Sequence, residues 1–305
     1  SPQTLRLLAS WPYNAVMMSI SPIPFMKMNG LGNDFVVLDA RERPLAIGAD
    51  AARQIADRTS GPGCDQVIII EPSEQADAFM RIRNSDGGEV DACGNGTRCV
   101  AWLLNRQSGN QNPVVATNAG LLGTHVGSDG TVTVDMGVPK LRWDEIPLSE
   151  PFHDTRMIEL EVGPRGAPVM HSPSAVNIGN PHCIFWVDDV SAHDLGAIGP
   201  VLEHHPLFPE RANISLAQLT APDAIKVRVW ERGVGLTRAC GTAACAIGVA
   251  AARKRLTGRQ TTVTLPGGPL LIHWRESDDH VLMTGPTEFE YQGTLDPETF
   301  AAQRA

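Results

Sequence analysis

Two cysteines with matching surroundings are the residues best suited to chemistry. Cys93 lies in residues 92–99 (ACGNGTRC) and Cys240 lies in residues 239–245 (ACGTAAC), and an apolar run follows each. This pattern predicts a cysteine at the start of a helix, where the helix dipole and the free N–H groups favour the thiolate. The backbone amides that follow each cysteine are also suited to hold a carboxylate.

The presence of two such cysteines indicates a shared site. A single buried cysteine is usually a small core residue. Two matched copies in one chain instead suggest two similar half-domains that face each other across a cleft, each offering one thiol. Proton removal on one face of a carbon atom and proton delivery on the other is the chemistry of racemisation or epimerisation.

Length and composition exclude several classes of protein. A chain of 305 residues is long enough for two domains of ordinary size, and its net charge of −9 argues against a nucleic-acid or anionic-membrane partner. No apolar run approaches the roughly 20 residues that span a bilayer. Six cysteines are too few for a disulfide scaffold, and no pair has the Cys-x2-Cys spacing of a structural zinc site. We therefore expect reduced thiols and no metal.

The scarcity of lysine argues against one common cofactor. Only Lys27, Lys140, Lys226 and Lys254 are present, and none lies in an evident phosphate-binding loop. Pyridoxal phosphate enzymes need a Schiff-base lysine, and the chain has no P-loop. A mechanism without a cofactor is the expectation.

Apolar periodicity predicts how the chain is built around the cysteines. Helical spacing predicts helices over residues 47–58, 97–106 and 194–204, and a fourth from Cys240 to about Leu256. Short apolar segments between turn residues predict strands in both halves, among them residues 67–70, 78–83 and 158–162. Strand-rich halves, each with one long central helix, predict an α+β fold of two similar domains.

The two cysteine motifs, together with residues 29–35 (NGLGNDF) and 179–183 (GNPHC), resemble those of the diaminopimelate epimerases. The resemblance runs from about Met26 to Gly293. It implies two pseudo-symmetric domains, each a barrel-like β-sheet around a central helix. It also implies a cytoplasmic, cofactor-independent isomerase that interconverts LL- and meso-2,6-diaminopimelate for lysine and peptidoglycan precursor biosynthesis, with a homodimer as a further expectation.

The resemblance assigns roles that residue types alone leave open. Cys93 and Cys240 become the acid–base pair, and His182 and Glu231 become residues that modulate the thiol pKa. Residue type alone leaves two interpretations for each: the asparagines are turn residues or ligand amides, His182 is structural or tunes a thiol pKa, and Glu231-Arg232 is a surface pair or a contact for a charged ligand. The residues that it assigns to substrate binding are Asn33, Gln66, Asn84, Gly94, Asn95, Asn180, Asn213, Glu231, Arg232, Gly241 and Thr242.

The expected domain boundaries place the site in a cleft between the halves. Residues 1–24 are predicted to be an N-terminal extension. Residues 25–137 with residues 286–305 form the half-domain that carries Cys93, because the resemblance implies that the last strand returns to it. Residues 138–285 form the half-domain that carries Cys240.

Three alternatives remain open at the level of the sequence. A proline or hydroxyproline racemase-like enzyme uses the same pair of thiols, but the motif of that family has histidine where Asn95 stands. A phenazine-pathway-type isomerase shares the fold without the cysteine pair. A non-enzymatic redox or binding protein would use Cys93 and Cys240 as a sensing pair. The other cysteines are predicted to be core residues: Cys64, Cys99, Cys183 and Cys245.

Overall fold

Strands outnumber helices in the part of the chain that the structure describes, with 19 strands and four helices. The structure, a computed structural model, describes residues 21–298. The helices are α1 (Ala49–Ala56), α2 (Gly94–Ser108), α3 (Leu195–Glu203) and α4 (Gly241–Arg253). The strands of the first half are β1 (Ile23–Gly30), β2 (Asn33–Asp39), β3 (Gln66–Glu71), β4 (Ala78–Asn84), β5 (Glu89–Val90), β6 (Val114–Thr117), β7 (Gly120–Val126) and β8 (Val132–Asp135).

The remaining strands follow in the second half. They are β9 (Glu161–Val162), β10 (Met170–His171), β11 (Ser174–Asn177), β12 (Pro181–Trp186), β13 (Asn213–Ala221), β14 (Ala224–Glu231), β15 (Gly235–Thr237), β16 (Gln260–Leu265), β17 (Gly268–Trp274), β18 (Val281–Gly285) and β19 (Glu288–Leu295). All of them except β9 and β10 belong to one connected sheet of 17 strands.

The two halves repeat one pattern of strand pairing. In the first half β1–β2 is antiparallel, β2–β3 parallel, β3–β4 antiparallel and β4–β6 parallel, and β6–β7–β8 are antiparallel. The second half has the same sequence of pairings along β11–β12–β13–β14–β16–β17–β18. Parallel neighbours require a crossover connection, and α2 and α4 occupy the equivalent crossovers. The repeat therefore places Cys93 and Cys240 at equivalent points.

Two further pairings join the halves. Strand β8 of the first half pairs with β18 of the second, with Val134 opposite Met283. Strand β19 returns to pair with β1, from Ile23 opposite Leu295 to Asn29 opposite Glu288. The return of the last strand, which the resemblance implies, is therefore present.

The small residues of α4 explain why it can lie inside its sheet. Ala243, Ala246 and Ala250 are fully buried, and the helix packs against apolar residues of the surrounding strands. A Cβ at Gly248 would come within 2.6 Å of Ile272 on β17, so the helix and the strand approach too closely for a larger residue. Helix α2 packs in the same way on the strands of the first half, with Cys99 and Val100 against Phe35.

The sequence predictions of the fold are confirmed in their main features. The α+β class, the two similar halves and the four helices are as expected. The strand predicted over residues 158–162 is shorter and comprises Glu161–Val162, and β10 and β15 were not predicted. Residues 1–20 of the expected extension lie outside the described residues, and β1 already begins at Ile23. The domain boundaries themselves stay a prediction. Within residues 21–298 no helix is long and apolar enough to cross a membrane.

Candidate active site

Cys93 lies at the N-terminus of α2, as its motif predicts. It is the N-cap residue, and its sulfur accepts a hydrogen bond of 3.4 Å from the N–H of Gly96. The first backbone hydrogen bond of the helix runs from Thr97 to the carbonyl of Cys93. The N–H groups of Gly94 and Asn95 precede it and are the amides that a helix start leaves without intrahelical partners.

Two predicted amide side chains lie next to the Cys93 sulfur, and a third is hydrogen-bonded to one of them. The Gln66 side-chain oxygen lies 3.4 Å from Sγ, and that of Asn33 lies 3.8 Å from it. Gln66 begins β3 and donates through Nε2 to Oδ1 of Asn84, at the end of the neighbouring strand β4. Strand ends therefore bring Asn33, Gln66 and Asn84 to the start of α2, where the protonated thiol donates to amide oxygens.

Cys240 occupies the equivalent position at the start of α4. It is the N-cap residue and is 7% exposed. Its sulfur lies 3.6 Å from Oγ1 of Thr242, and the first helical bond runs from Ala244 to its carbonyl. The N–H groups of Gly241 and Thr242 are therefore positioned like those of Gly94 and Asn95.

The two helix starts meet across the halves. The side-chain amide of Asn95 donates 2.6 Å to the carbonyl of Ala239, the residue before Cys240. The fully buried Met283 lies against both helices, since a Cβ at Gly94 would come within 2.6 Å of its Cε and one at Gly241 within 3.0 Å of its Sδ. The predicted approach of the two cysteine motifs is thus visible in specific contacts.

The thiols are not activated in the way that the motifs predict. Burial raises the pKa of Cys93 to about 11, although the Gly96 N–H acts in the opposite direction. Burial, followed by the charge of Glu231, raises the pKa of Cys240 well above its ordinary value. The expectation that a helix start favours both thiolates is therefore wrong for this state, because desolvation of the charged form outweighs the helix N–H groups.

Asn180 and His182 form a short chain of hydrogen bonds to the Cys240 side. His182 is fully buried, and its Nε2 lies 2.7 Å from Oδ1 of Asn180. Asn180 in turn donates 3.2 Å to Oγ1 of Thr242. Burial lowers the pKa of His182 to about 3, so its ring is neutral. The contacts of His182 run to Asn180 rather than to a thiol, and its role as a modulator of thiol pKa stays a prediction.

Glu231 carries a charge that both thiols experience. It ends β14 as Asn84 ends β4, and one of its oxygens accepts a 2.8 Å hydrogen bond from Thr237. After burial, its carboxylate is the main cause that raises the pKa of Cys240, and it also raises that of Cys93. This placement supports the predicted role of Glu231 as a modulator of thiol pKa.

Asn213 and Arg232 form a hydrogen-bonded pair next to Glu231. Asn213, 3% exposed, donates to the carbonyl of Pro181 at 3.0 Å and accepts from the N–H of Arg232 at 2.8 Å. The guanidinium of Arg232 is half-buried and donates to the carbonyl of Glu210 at 2.9 Å. Asn213 therefore uses both ends of its amide to fix the loop, whereas Arg232 keeps donors for a ligand.

Several residues that support the site were not predicted. Asp65 accepts 3.1 Å from the side chain of Asn33 and is itself paired with Arg58. Arg98 donates to the side-chain oxygen of Asn95. A charged residue directly before the apolar run of α2 was the available signal for Arg98, whereas nothing local marks Asp65. In the described part of the chain, no group of three or more His, Cys, Asp or Glu side chains is arranged to hold a metal ion.

Comparison with known proteins identifies a family that shares these motifs. A family model described as diaminopimelate epimerase matches residues 25–142 and 174–290. A diaminopimelate epimerase of Rhodopseudomonas palustris (strain BisB18) is 56% identical over 280 residues, which cover 91% of this chain and 96% of that protein. A diaminopimelate epimerase of Methylobacterium sp. (strain 4-46) is 57% identical over 283 residues, with the same coverage of 91% and 96%.

Solved structures with the same fold are more distant in sequence. A phenazine biosynthesis protein of the PhzF family from Bacillus anthracis superposes with a TM-score of 0.63 at 14% identity, covering 90% of this chain and 99% of that one. A hydroxyproline epimerase from Agrobacterium vitis, with bound trans-4-hydroxy-L-proline, gives a TM-score of 0.61 at 15% identity, covering 90% and 93%. At such low identity these structures show the fold alone.

Proposed function

The chain belongs to the diaminopimelate epimerase family, and we propose that it carries out the reaction of that family with Cys93 and Cys240 as a thiolate–thiol pair. The enzyme is an isomerase that interconverts LL- and meso-2,6-diaminopimelate. The observation that carries the proposed roles is the meeting of two equivalent helix starts, each capped by a cysteine and linked through the hydrogen bond from Asn95 to Ala239.

The pair of thiols accounts for both proton transfers. One cysteine, as thiolate, takes the proton from the α-carbon, and the bonding electrons move into the adjacent carboxylate. The other cysteine, as thiol, donates its proton to the opposite face of that carbon. The product has inverted configuration, and the two sulfurs have exchanged protonation states, so the same pair also catalyses the reverse reaction.

The helix starts are suited to hold the negative charge that develops. The N–H groups of Gly94 and Asn95 on one side and of Gly241 and Thr242 on the other precede the first helical hydrogen bonds. Such amides, with the positive ends of two helix dipoles, stabilise a carboxylate as it gains charge. Burial keeps both thiols protonated in this state, and the base forms when one of them releases its proton to water.

Glu231 and Arg232 are suited to bind the far end of the substrate. Diaminopimelate carries a second ammonium group and a second carboxylate. Arg232 offers a planar donor fork for the carboxylate, and Glu231 offers oxygens for the ammonium. Asn33, Asn84 and Asn180 contribute polar groups near the thiols. We assign these residues to substrate binding on this chemistry.

A homodimer and a reducing compartment belong to the same proposal. Strand β19 exposes Phe289 and Tyr291 by 39% and 45%, and Phe289 stacks on Trp102 of α2. Exposed aromatic groups of this kind favour a protein interface, and a second copy of the chain is the partner we propose. All six cysteines are free, which is typical of the cytoplasm.

Exchange of the α-proton in D2O tests the proposed roles. Unmodified enzyme should incorporate deuterium into LL-diaminopimelate and form the meso isomer. Cys93→Ala and Cys240→Ala should each lower epimerisation by at least about 100-fold, since a general acid or base contributes on the order of 10²–10⁴. Retention of more than about a tenth of the rate in a folded variant would remove that cysteine from the mechanism.

Proline and hydroxyproline serve as matched substrates in the same assay. Neither has a second zwitterion, so neither can use both Glu231 and Arg232. Turnover of diaminopimelate alone supports the assignment of Glu231 and Arg232 to the distal end of the substrate. Equal turnover of hydroxyproline would favour the racemase-like alternative.

A further inference from the structure

Arg98 is a buried arginine without an acidic partner among residues 21–298. It lies in the second turn of α2 and is 0% exposed. Nη2 donates 2.8 Å to Oδ1 of Asn95, and Nε donates 3.1 Å to the carbonyl of Pro286, while Nη1 has no hydrogen-bond partner in the described chain. Burial of a cation without a counterion is costly, so this arrangement needs an explanation.

The equivalent residue in the other half shows that the fold does not require a cation here. Cys245 follows Cys240 by five positions, as Arg98 follows Cys93, and it is likewise fully buried in its helix. A small apolar residue can therefore occupy this helical position when only packing determines which residue is needed. Arg98 is a point where the repeat departs from its symmetry.

The space around the guanidinium is formed by two glycines from different elements. A Cβ at Gly30, in the β1–β2 turn motif, would lie 2.9 Å from Nη2 of Arg98. A Cβ at Gly285, at the end of β18, would lie 3.0 Å from Cζ. Both distances are too short for a residue with a side chain, so glycine is needed at each position. The space between the two glycines fits the flat guanidinium closely.

The hydrogen bonds of Arg98 set the orientation of the amides around Cys93. A guanidinium can only donate, so the oxygen of Asn95 must face Arg98. The amide nitrogen of Asn95 then donates 3.1 Å to Oδ1 of Asn33 and 2.6 Å to the carbonyl of Ala239. That same Asn33 oxygen faces the sulfur of Cys93 at 3.8 Å. The guanidinium of Arg98 thereby fixes the orientation of the Asn95 amide and, through it, the hydrogen bonds to Asn33 and Ala239.

The charges around the site give the guanidinium a second effect. The Glu231 carboxylate faces both catalytic thiols and disfavours a thiolate at either. The other thiols near Arg98 are those of Cys99 and Cys245, and both are buried. The positive charge of Arg98 opposes Glu231 at Cys93 and lowers the pKa of that thiol, although burial and Glu231 raise it overall.

We propose that Arg98 is a positioning residue for Cys93, which fixes the Asn95 amide and places a buried positive charge beside the thiolate that the reaction forms. The proposal rests on the assignment of Cys93 as an acid–base residue. It explains why a guanidinium, and not a small residue as in the other half, occupies this position. Arg98 does not contact the substrate in this scheme.

Alkylation of Cys93 tests the charge without the need for epimerase activity. Arg98→Gln keeps a donor for Asn95 but removes the charge, and Arg98→Lys keeps the charge but loses the fork. Iodoacetamide labelling at pH 8, mapped by mass spectrometry and normalised to Cys240 in the same molecules, should slow at Cys93 at least about fivefold in Arg98→Gln, because the thiolate is the nucleophile. Arg98→Lys should keep the rate within about twofold.

Kinetics and a control variant test the positioning role. In Arg98→Gln and Arg98→Lys we expect kcat to fall at least about tenfold while KM stays within about threefold. Arg253→Met removes a half-buried guanidinium from the last turn of α4, where it bonds Thr155, and should leave both the labelling and kcat near those of the unmodified enzyme.

Three results would overturn the proposal. They are unchanged Cys93 labelling in folded Arg98→Gln, slowed labelling in folded Arg98→Lys, and an altered KM with unchanged kcat. Should Arg98→Gln fail to fold, the kinetics of Arg98→Lys still test the positioning role, because an unchanged kcat in that variant would contradict it. If the unmodified enzyme does not epimerise diaminopimelate, the proposed function fails, whereas the labelling still reports on Arg98.

Discussion

Replacement of Asn95 by alanine should weaken both the fold and the reaction. Asn95 is 3% exposed and its side chain makes hydrogen bonds to Arg98 at 2.8 Å, Asn33 at 3.1 Å and Ala239 at 2.6 Å. Loss of the amide leaves a charged donor and two carbonyl oxygens without this partner. At about 1 kcal/mol for each neutral group and about 2 kcal/mol for the charged one, the free energy of unfolding should fall by roughly 4 kcal/mol.

The effect on the reaction follows from the same contacts. Asn33 loses one of the two hydrogen bonds that position its side chain beside Cys93, and the two helix starts lose their direct hydrogen bond. A displacement of about 1 Å at reacting groups costs on the order of 100-fold, and we expect a decrease of that size in kcat/KM. Thermal and urea unfolding measure the stability, and the formation of the meso isomer measures the activity.

A matched control lies on the same helix. Asn105 donates 2.9 Å to the carbonyl of Asn110 at an exposed position, so Asn105→Ala should change the free energy of unfolding by less than about 1 kcal/mol. If Asn95→Ala unfolds like Asn105→Ala and keeps more than about a third of the activity, the contacts across the helix starts do not have the importance given to them here.

Three further variants or conditions test single groups. Arg232→Lys keeps the charge but loses the fork, so KM for diaminopimelate should rise at least about tenfold, and an unchanged KM would make Arg232 a surface residue. Glu231→Gln removes a charge that raises the pKa of both thiols, so both pKa values should fall and alkylation at pH 8 should accelerate, whereas slower labelling would reverse the assigned sign. Mild oxidant should stop the reaction and dithiothreitol should restore it, with a Cys93–Cys240 disulfide found by non-reducing peptide mapping; inactive enzyme with both thiols free would exclude that bridge.

Local sequence patterns were sufficient for most of the fold. Helix starts and apolar spacing are determined within a few residues, so α2 and α4 could be predicted from the runs after Cys93 and Cys240. The order of strands in the sheet is set by contacts between distant segments, which no local pattern encodes. The two-residue strand β10 is also too short for any periodicity, and only the end of the segment predicted around β9 forms a strand.

The site shows the same division between local and distant information. The motif and the resemblance predict site roles for Cys93, Asn95, Asn33 and Gln66, and the structure brings these four side chains together. The thiol pKa could not be predicted, because the helix start is visible in the sequence but the burial that outweighs it is not. Arg98 is the one charged residue of the motif around Cys93, yet its significance depends on Gly30 and Gly285, which are distant in the chain.

The two halves place different charges near their cysteines, although the reaction would allow the two surroundings to be alike. Under the proposed mechanism each thiol acts both as base and as acid, yet the cation of Arg98 favours a thiolate at Cys93, and the carboxylate of Glu231 is the main charge that disfavours one at Cys240. Both surroundings favour the form in which Cys93 loses its proton first. Each pKa unit by which Cys93 lies below Cys240 favours this form by a factor of about ten, or about 1.4 kcal/mol. The isomer that presents its α-proton to Cys93 therefore meets the more populated protonation state of the enzyme. The isomer that presents it to Cys240 reacts with the less populated state, in which Cys240 is the thiolate and Cys93 the thiol.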